Sequence, residues 1–360
     1  KNVIFGFVIM IVASYVNYHR IVRLGWGWFW LLAAVAIIAA LKTPLAHSEL
    51  GATRWIKLGP VSFQAAEPIK AAIIIFFAYY VSYWGLNRWY NQLLACLLAI
   101  ALLGFLFFFS NNLSTVIVLF CICAVIILSS VKKPDLYVYF LLGLALIIIA
   151  AIFVTVYLLM HQGAENFRFV RIRAWLHPEE YAADEGLQAM QARYAIGAGG
   201  FWGKGLGQSL IKFKLSYSYN DFILAIICEE LGVFGVIVMM TLFGYLLYRI
   251  YKIAQNAWDI EGKVLAIGVF TQIALQLLIN VMVVTSVIPT TGVTLPFFSA
   301  GGTSVVFLLA ELGMVLNVDK YAKERRFFEE AERHVAQMEQ RGGIGAAGWR
   351  RRLDSARTRR

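Results

Sequence analysis

Long apolar runs are the feature that most constrains this chain, because about 20 consecutive apolar residues are what an α-helix needs to cross a bilayer. Nine such runs are bounded by charged residues or by Gly and Pro. They extend approximately over residues 2–17, 26–42, 64–86, 92–109, 113–130, 135–160, 221–250, 263–286 and 302–318. The sequence therefore predicts an all-α, polytopic integral membrane protein.

Composition and charge placement support this prediction. The chain is 60% hydrophobic and 15% charged, whereas soluble domains are about 45–50% apolar and about 25% charged. A net charge of +11 is high enough to suggest a nucleic-acid partner. However, Lys and Arg are concentrated in short segments between the apolar runs and after Asn317. This placement is typical of the cytoplasmic flanks of membrane helices, so we expect contact with membrane lipids and no nucleic-acid binding.

The charges of the connections predict an orientation. If the C-terminus is cytoplasmic, alternation of the spans places the basic connections around Arg20, Arg88 and Lys132 inside the cell. The connections at residues 110–112 and 287–301 contain no Lys or Arg, as expected on the outside. The orientation predicts a multi-pass protein of the cytoplasmic membrane.

The same alternation predicts the domain organisation. The long connection over residues 161–220 lies outside, and nine spans place residue 1 outside as well, so we expect a tenth span upstream. We expect one transmembrane domain over residues 1–319 and a basic cytoplasmic tail over residues 320–360.

Ionisable residues inside predicted spans are candidates for function, because burying one costs about 2.5–3.5 kcal/mol even on the insertion scale. Glu67 and Lys70 lie three residues apart, on one face of a helix where they can pair. Two interpretations are open: a structural salt bridge, or the polar wall of a substrate cavity. Glu311, in the last run, is expected to pair inside the bundle.

Asp221 lies at the outer end of the seventh run, directly before the apolar stretch. It can be a helix N-cap, for which Asp is among the best residues, or a functional carboxylate. Glu229 and Glu230 follow on the same helix, about 12–13 Å deeper at 1.5 Å per residue. Glu230 faces the opposite side and cannot reach a site at Asp221.

Two irregular segments are predicted near the outer surface. Residues 195–209 are rich in glycine and contain Lys204, with Lys212 and Lys214 following; they form either a phosphate cradle or a tightly packed loop. Residues 288–304 contain two prolines and three glycines and end in Thr303 and Ser304. Irregular backbone at membrane depth is tolerated where it is buried or lines a wet cavity, which predicts a cavity wall.

Together these segments resemble the SEDS family of cell-wall polymerases, which includes FtsW, RodA and SpoVE. The amino-acid sequences of the motif around Asp221 and of the segment before Thr303 resemble those of the FtsW and SpoVE branch more closely. The resemblance covers nearly the whole chain, and it is carried by residues 51–56, 63–70, 112–115, 195–209, 220–232 and 289–304.

The resemblance implies a peptidoglycan glycosyltransferase that polymerises lipid II on the outer membrane face in cell division, shape or sporulation. It also implies ten membrane helices and a class B penicillin-binding protein as partner. The essential carboxylate of the family matches Asp221, its Glu and Lys pair matches Glu67 and Lys70, and its outer arginine matches Arg54.

Lipid II polymerisation needs a base for the acceptor hydroxyl and positive charge for the departing undecaprenyl pyrophosphate. We expect Asp221 to be the general base and the reaction to invert the donor sugar. Candidate cations for the pyrophosphate are Arg54, Lys204, Lys212 and Lys214, and a divalent ion, Mg²⁺ or Mn²⁺, is a further option. Candidate cavity residues are Glu67, Lys70, Glu229, Thr303 and Ser304.

Two other functions fit part of the pattern. A lipid II flippase would also have many spans and intramembrane charges, but transporters more often place broken helices in two corresponding halves. A noncatalytic scaffold for the penicillin-binding protein would make Asp221 a helix cap.

Overall fold

The computed structural model is mainly helical. It describes residues 2–23, 27–44, 46–49, 52–58, 61–110, 112–131, 139–140, 143–144, 147, 150–151, 174–180, 185–210, 221–299, 302–340 and 349–350. The helices are α1 (Asn2–Tyr15), α2 (Tyr18–Val22), α3 (Trp28–Ala40), α4 (Ala66–Trp84), α5 (Trp89–Ser110), α6 (Leu113–Ser130), α7 (Glu185–Gly199), α8 (Ile223–Gln255), α9 (Ile260–Val284) and α10 (Gly302–Gln340). The strands are β1 (Ala46–Glu49), β2 (Ala52–Leu58) and β3 (Val61–Gln64).

Five of the described helices, α5, α6, α8, α9 and α10, are long and apolar enough to cross a membrane. Helices α1 and α3 are apolar but shorter. All seven coincide with predicted apolar runs, whereas most of the run at 135–160 lies outside the described residues. The structure thus supports a polytopic helical membrane protein, while the number of nine spans remains a prediction.

Helix α4 is the central helix of the bundle. It packs against α3, α6, α9 and α10, and its buried residues include Phe76, Phe77 and Tyr80. A helix surrounded by other helices needs less apolar surface than one that faces lipid, which explains why it can carry Glu67 and Lys70 at its start. It is therefore the scaffold on which the predicted ion pair is placed.

A three-stranded antiparallel sheet precedes α4, in the order β1-β2-β3. The expectation of an all-α chain was wrong here. Strand β2 contains Trp55 and a buried Ile56, and it is bounded in the sequence by Gly51 and by Gly59 and Pro60. Aromatic and β-branched residues between such turn residues are a hairpin signal, but the segment is too short to compete with the apolar runs around it.

The two ends of the bundle differ. At the end where α8 begins lie the sheet, the start of α4 and the irregular segment between α9 and α10. At the other end, Asp259 caps α9 by accepting a hydrogen bond from the Gly262 amide at 2.7 Å, and it also accepts one from the Tyr18 hydroxyl at 2.6 Å. His19 Nε2 lies 2.7 Å from the same carboxylate. We call these the Asp221 end and the Asp259 end.

Candidate functional site

Asp221 lies outside the helix-capping position. Helix α8 begins at Ile223, and its N-cap is Phe222, whose carbonyl oxygen accepts from the Ala225 amide at 3.0 Å. Asp221 precedes this cap in a turn and is half-buried. The N-cap of α8 is therefore the residue that follows Asp221.

Asn280 of α9 holds the backbone at Asp221. Its side-chain amide donates to the carbonyl oxygen of Asp221 and to that of Val293, both at 2.9 Å. Asn280 is fully buried, so these bonds are shielded from solvent. They fix the start of α8 against the irregular segment at residues 288–299.

A small polar cavity lies beside this segment. It has a volume of about 20 Å³, enough for about one water molecule. Its lining includes Glu67, Lys70, Gln276, Thr115 and the segment 292–294. The prediction that the irregular segment forms a cavity wall agrees with this arrangement.

The Glu67–Lys70 pair forms one side of the cavity. Lys70 Nζ lies 2.7 Å from Glu67 Oε1, and both side chains are 3% exposed. Glu67 Oε2 has no hydrogen-bond partner among the described residues, and neither has Gln276 Oε1. Buried acceptors without a donor are costly, so this cavity is suited to one water molecule or to a single hydroxyl group of a ligand.

A polar stripe on α9 extends the cavity into the bundle. Gln272, Gln276 and Asn280 are four residues apart and therefore share one face of the helix. Gln272 donates to Glu311 Oε2 at 2.9 Å, which supplies the partner that was expected for Glu311. Neither Gln276 nor Asn280 was predicted to belong to the site, although their four-residue spacing in an apolar run was a usable signal.

The glycine-rich segment packs against a kink in α8. Gly232 has φ 65° and ψ −168° inside the helix, and this kink interrupts the regular hydrogen bonds of α8. The Lys204 and Gly205 amides donate to the freed carbonyl oxygens of Glu229 and Glu230, both at 2.9 Å. A Cβ at Gly203 would lie 2.2 Å from the Glu230 oxygen, so the two backbones can approach only through glycine. The tightly packed interpretation fits residues 199–205.

Glu229 is the buried anchor of this contact. It is fully buried, and its Oε1 accepts from Lys204 Nζ at 2.7 Å and from the Leu210 amide at 3.3 Å. Its Oε2 accepts from the Ser209 hydroxyl at 2.6 Å. Lys204 remains one-third exposed, so its ammonium is held by Glu229 and still reaches the surface.

The other predicted site residues are distributed as follows. Arg54 lies in β2, next to Trp55, which pairs with the cavity-lining Gln64 of β3; the Arg54 side chain lies outside the described part. Thr303 and Ser304 lie in the first turn of α10, and Ser304 is buried. Lys212 and Lys214 lie outside the described residues.

The described part offers no ready site for a metal. It contains no group of three or more His, Cys, Asp or Glu side chains that could hold a metal ion. Glu67 and Glu229 are instead each paired with a lysine.

The fold and the site together define a polytopic helical membrane protein in which Asn280 fixes the backbone of Asp221 to a segment that lines a buried polar cavity. The chain belongs to the FtsW/RodA/SpoVE family, because residues 1–324 match the family described as "Cell cycle protein". The resemblance to the SEDS family is thereby confirmed.

Two relatives are similar along most of the chain. The probable peptidoglycan glycosyltransferase FtsW of Geobacter sp. (strain M18) is 32% identical over 320 residues, which are 87% of this chain and 83% of the relative. The stage V sporulation protein E of Bacillus subtilis (strain 168) is 37% identical over 277 residues, which are 76% of this chain and 73% of the relative.

A solved structure shares the fold. A chain from a peptidoglycan synthase complex superposes with a TM-score of 0.70 at 24% sequence identity, covering 88% of this chain and 86% of that chain. The arrangement of helices described above is therefore that of a known membrane fold.

Proposed function

We propose that this chain is a peptidoglycan glycosyltransferase that polymerises lipid II, with Asp221 as general base. The relatives named as probable peptidoglycan glycosyltransferases support the reaction class. The observation that carries the role of Asp221 is its position, since Asn280 fixes its backbone to the wall of the polar cavity. A half-buried carboxylate at this position can meet a substrate.

The proposed step transfers one proton and one sugar. The Asp221 carboxylate accepts the proton of the acceptor GlcNAc 4-hydroxyl. At the same time, the oxygen of that hydroxyl forms a bond to the anomeric carbon of the donor sugar. The bond from that carbon to the pyrophosphate oxygen breaks, and undecaprenyl pyrophosphate leaves with the electron pair. Attack from the face opposite the leaving group inverts the anomeric configuration.

The leaving pyrophosphate needs positive charge. Lys204 is suited to this role because Glu229 fixes its ammonium while a third of the side chain stays exposed. Arg54, Lys212 and Lys214 remain candidates for the same role. We assign no step to a divalent ion, since the described donor set does not form a cluster for one.

The proposal includes location and partners. The basic connections at the Asp259 end favour a cytoplasmic position for that end, and we propose that Asp221 lies on the outer face of the cytoplasmic membrane. The lipid tail of the substrate can then stay in the bilayer.

We propose residues 1–319 as the transmembrane domain and 320–360 as a cytoplasmic tail. We also propose a class B penicillin-binding protein as the partner that crosslinks the strands.

The test is polymerisation of lipid II by the full-length protein with its penicillin-binding partner, whose transpeptidase is blocked. Asp221→Ala should lower the rate of strand formation by about 100-fold or more, the range expected for loss of a general base. The matched control is Glu230→Gln, which removes a carboxylate from the same helix on another face and should leave the rate unchanged.

Two outcomes would overturn the proposal. Equal strands from wild type and Asp221→Ala would remove the base assignment and favour a scaffold. An absence of strands from the wild type, together with transport of lipid II across vesicles, would favour a flippase.

A further inference from the structure

A second cavity is lined by α5 and α6 and shares no lining residue with the polar cavity beside Glu67. Its volume is about 530 Å³, within the range of about 300–1,000 Å³ that is typical of sites for small organic ligands. Helix α5 contributes Gln92 and Cys96, α6 contributes Phe120 and Ala124, and the helical residues Tyr139 and Phe140 close one side. The lining is almost entirely apolar, as a hydrocarbon chain requires.

One end of this cavity has the character of a membrane boundary. Trp89, in the first turn of α5, lines the cavity and is 69% exposed. Tryptophan is enriched at the level of lipid headgroups. Arg88 precedes it, is exposed, and stacks its guanidinium on Tyr90 at 5.7 Å. The predicted orientation makes this the cytoplasmic boundary.

A buried acceptor without a donor lies at the same end. Gln92 is 3% exposed, and its amide nitrogen donates to the Leu86 carbonyl oxygen. Its Oε1 has no hydrogen-bond partner in the described part of the chain. A water molecule there would need two to four polar partners, which the apolar lining does not offer. A ligand with an apolar chain and a donor near its polar end would satisfy both the lining and Gln92.

We propose that this cavity binds one phosphatidylglycerol molecule from the cytoplasmic leaflet. An acyl chain lies between α5 and α6, a headgroup hydroxyl donates to Gln92 Oε1, and the phosphate is paired with Arg88. The positive charge of Arg88 selects an anionic headgroup over a zwitterionic one. This proposal depends on membrane residence and on the predicted orientation, and it is independent of the glycosyltransferase reaction.

The test is native mass spectrometry of the full chain, stripped of lipid and titrated with phosphatidylglycerol or phosphatidylcholine of the same acyl composition. The choline headgroup carries no hydrogen-bond donor. We expect one phosphatidylglycerol per chain, bound about fivefold more tightly than phosphatidylcholine, the ratio that corresponds to one hydrogen bond. Gln92→Met should remove that preference.

A second pair of variants tests the cavity itself. Ala124→Phe fills it and should abolish binding of the single lipid. The control is Val125→Phe, because Val125 is the next residue of α6, is 36% exposed and lies outside the lining; it should bind as the wild type does.

Three results would overturn the proposal: equal affinity of the wild type for both headgroups, unchanged lipid binding in Ala124→Phe, or displacement of phosphatidylglycerol by a polyprenyl phosphate. If Gln92→Met does not fold, the headgroup preference of the wild type and the Ala124→Phe result still decide the matter.

Discussion

Glu67 and Glu229 are both buried carboxylates paired with a lysine ammonium at 2.7 Å, yet the rest of their surroundings differ. Both oxygens of Glu229 accept hydrogen bonds, from Lys204, Leu210 and Ser209. Glu67 uses one oxygen for Lys70, and its other oxygen lacks a partner among the described residues and belongs to a cavity-lining side chain.

The difference separates two uses of a buried charge. A carboxylate whose hydrogen bonds are all supplied by the protein fastens one segment to another, as Glu229 fastens the glycine-rich segment to the kink of α8. A carboxylate that keeps an unpaired oxygen beside a cavity is costly in the empty protein and is suited to meet a ligand. Substitutions at Glu229 should therefore lower mainly the stability, and substitutions at Glu67 should lower mainly the activity.

The largest expected effect is on the backbone around Glu229. Gly232→Ala should lower the free energy of unfolding by more than about 4 kcal/mol, because the φ of 65° and ψ of −168° disfavour a side chain and the new Cβ would lie 2.4 Å from the Gly203 nitrogen. Yield of folded protein and thermal unfolding in detergent measure this. Gly244→Ala, on the same helix with open space around it, should be neutral or stabilising by about 1 kcal/mol. Equal behaviour of the two variants would contradict the role of the kink.

Removal of the Glu229 side chain should rank second. Glu229→Ala leaves the Ser209 hydroxyl and the Leu210 amide without their acceptor, and we expect a loss of about 3 kcal/mol in the free energy of unfolding. Denaturant unfolding checks this against Glu230→Ala, which should cost less than about 1 kcal/mol. A Glu229→Ala protein as stable as the wild type would show that the anchor is dispensable.

At Glu67, the double variant is the informative one. Glu67→Gln alone leaves the Lys70 charge without its paired carboxylate, but Glu67→Gln combined with Lys70→Met removes both charges and should come within about 1–2 kcal/mol of wild-type stability. We expect polymerisation to stay impaired, because the cavity has lost its charged wall. Thermal unfolding and strand synthesis on the same sample measure both quantities. Restored synthesis in the double variant would show that the Glu67–Lys70 pair is only a structural salt bridge.

The smallest effect concerns pH at the Asp259 end. Burial opposes ionisation of Asp259, but hydrogen bonds from His19, Tyr18 and the Gly262 amide lower the pKa of its carboxyl below the usual 3.8. A lowered pKa in the folded state contributes stability above the unfolded value, and this contribution is lost as the pH falls through the folded value. Thermal unfolding should therefore show a steeper loss below about pH 4 in the wild type than in Asp259→Asn. Parallel curves would contradict the assignment.

The sequence was most informative about the apolar helices. Runs such as 113–130 coincide with α6, because length and hydropathy alone determine a lipid-facing helix. The sheet at residues 46–64 was missed, since its short strands depend on pairing with one another. The kink at Gly232 was missed as well, because a glycine within an apolar run is compatible with a straight helix until the segment that packs against it is known.

The site was predictable in part. Asp221, Glu67 and Lys70 stand out as charges at or within apolar runs. The partner of Glu229 is 25 residues away in sequence, at Lys204, and no periodicity links the two. Asn280 was missed although its four-residue spacing from Gln276 was a usable signal, because that spacing does not identify its two carbonyl partners.

The most direct test of the account is a single-turnover measurement that separates binding from chemistry at Asp221. Asp221→Asn keeps the shape of the side chain and removes its basicity. The account predicts that lipid II affinity stays within about twofold of the wild type, while the rate of glycosidic bond formation falls by about 100-fold or more. A rate within about tenfold of the wild type would contradict the assignment of Asp221 as the general base.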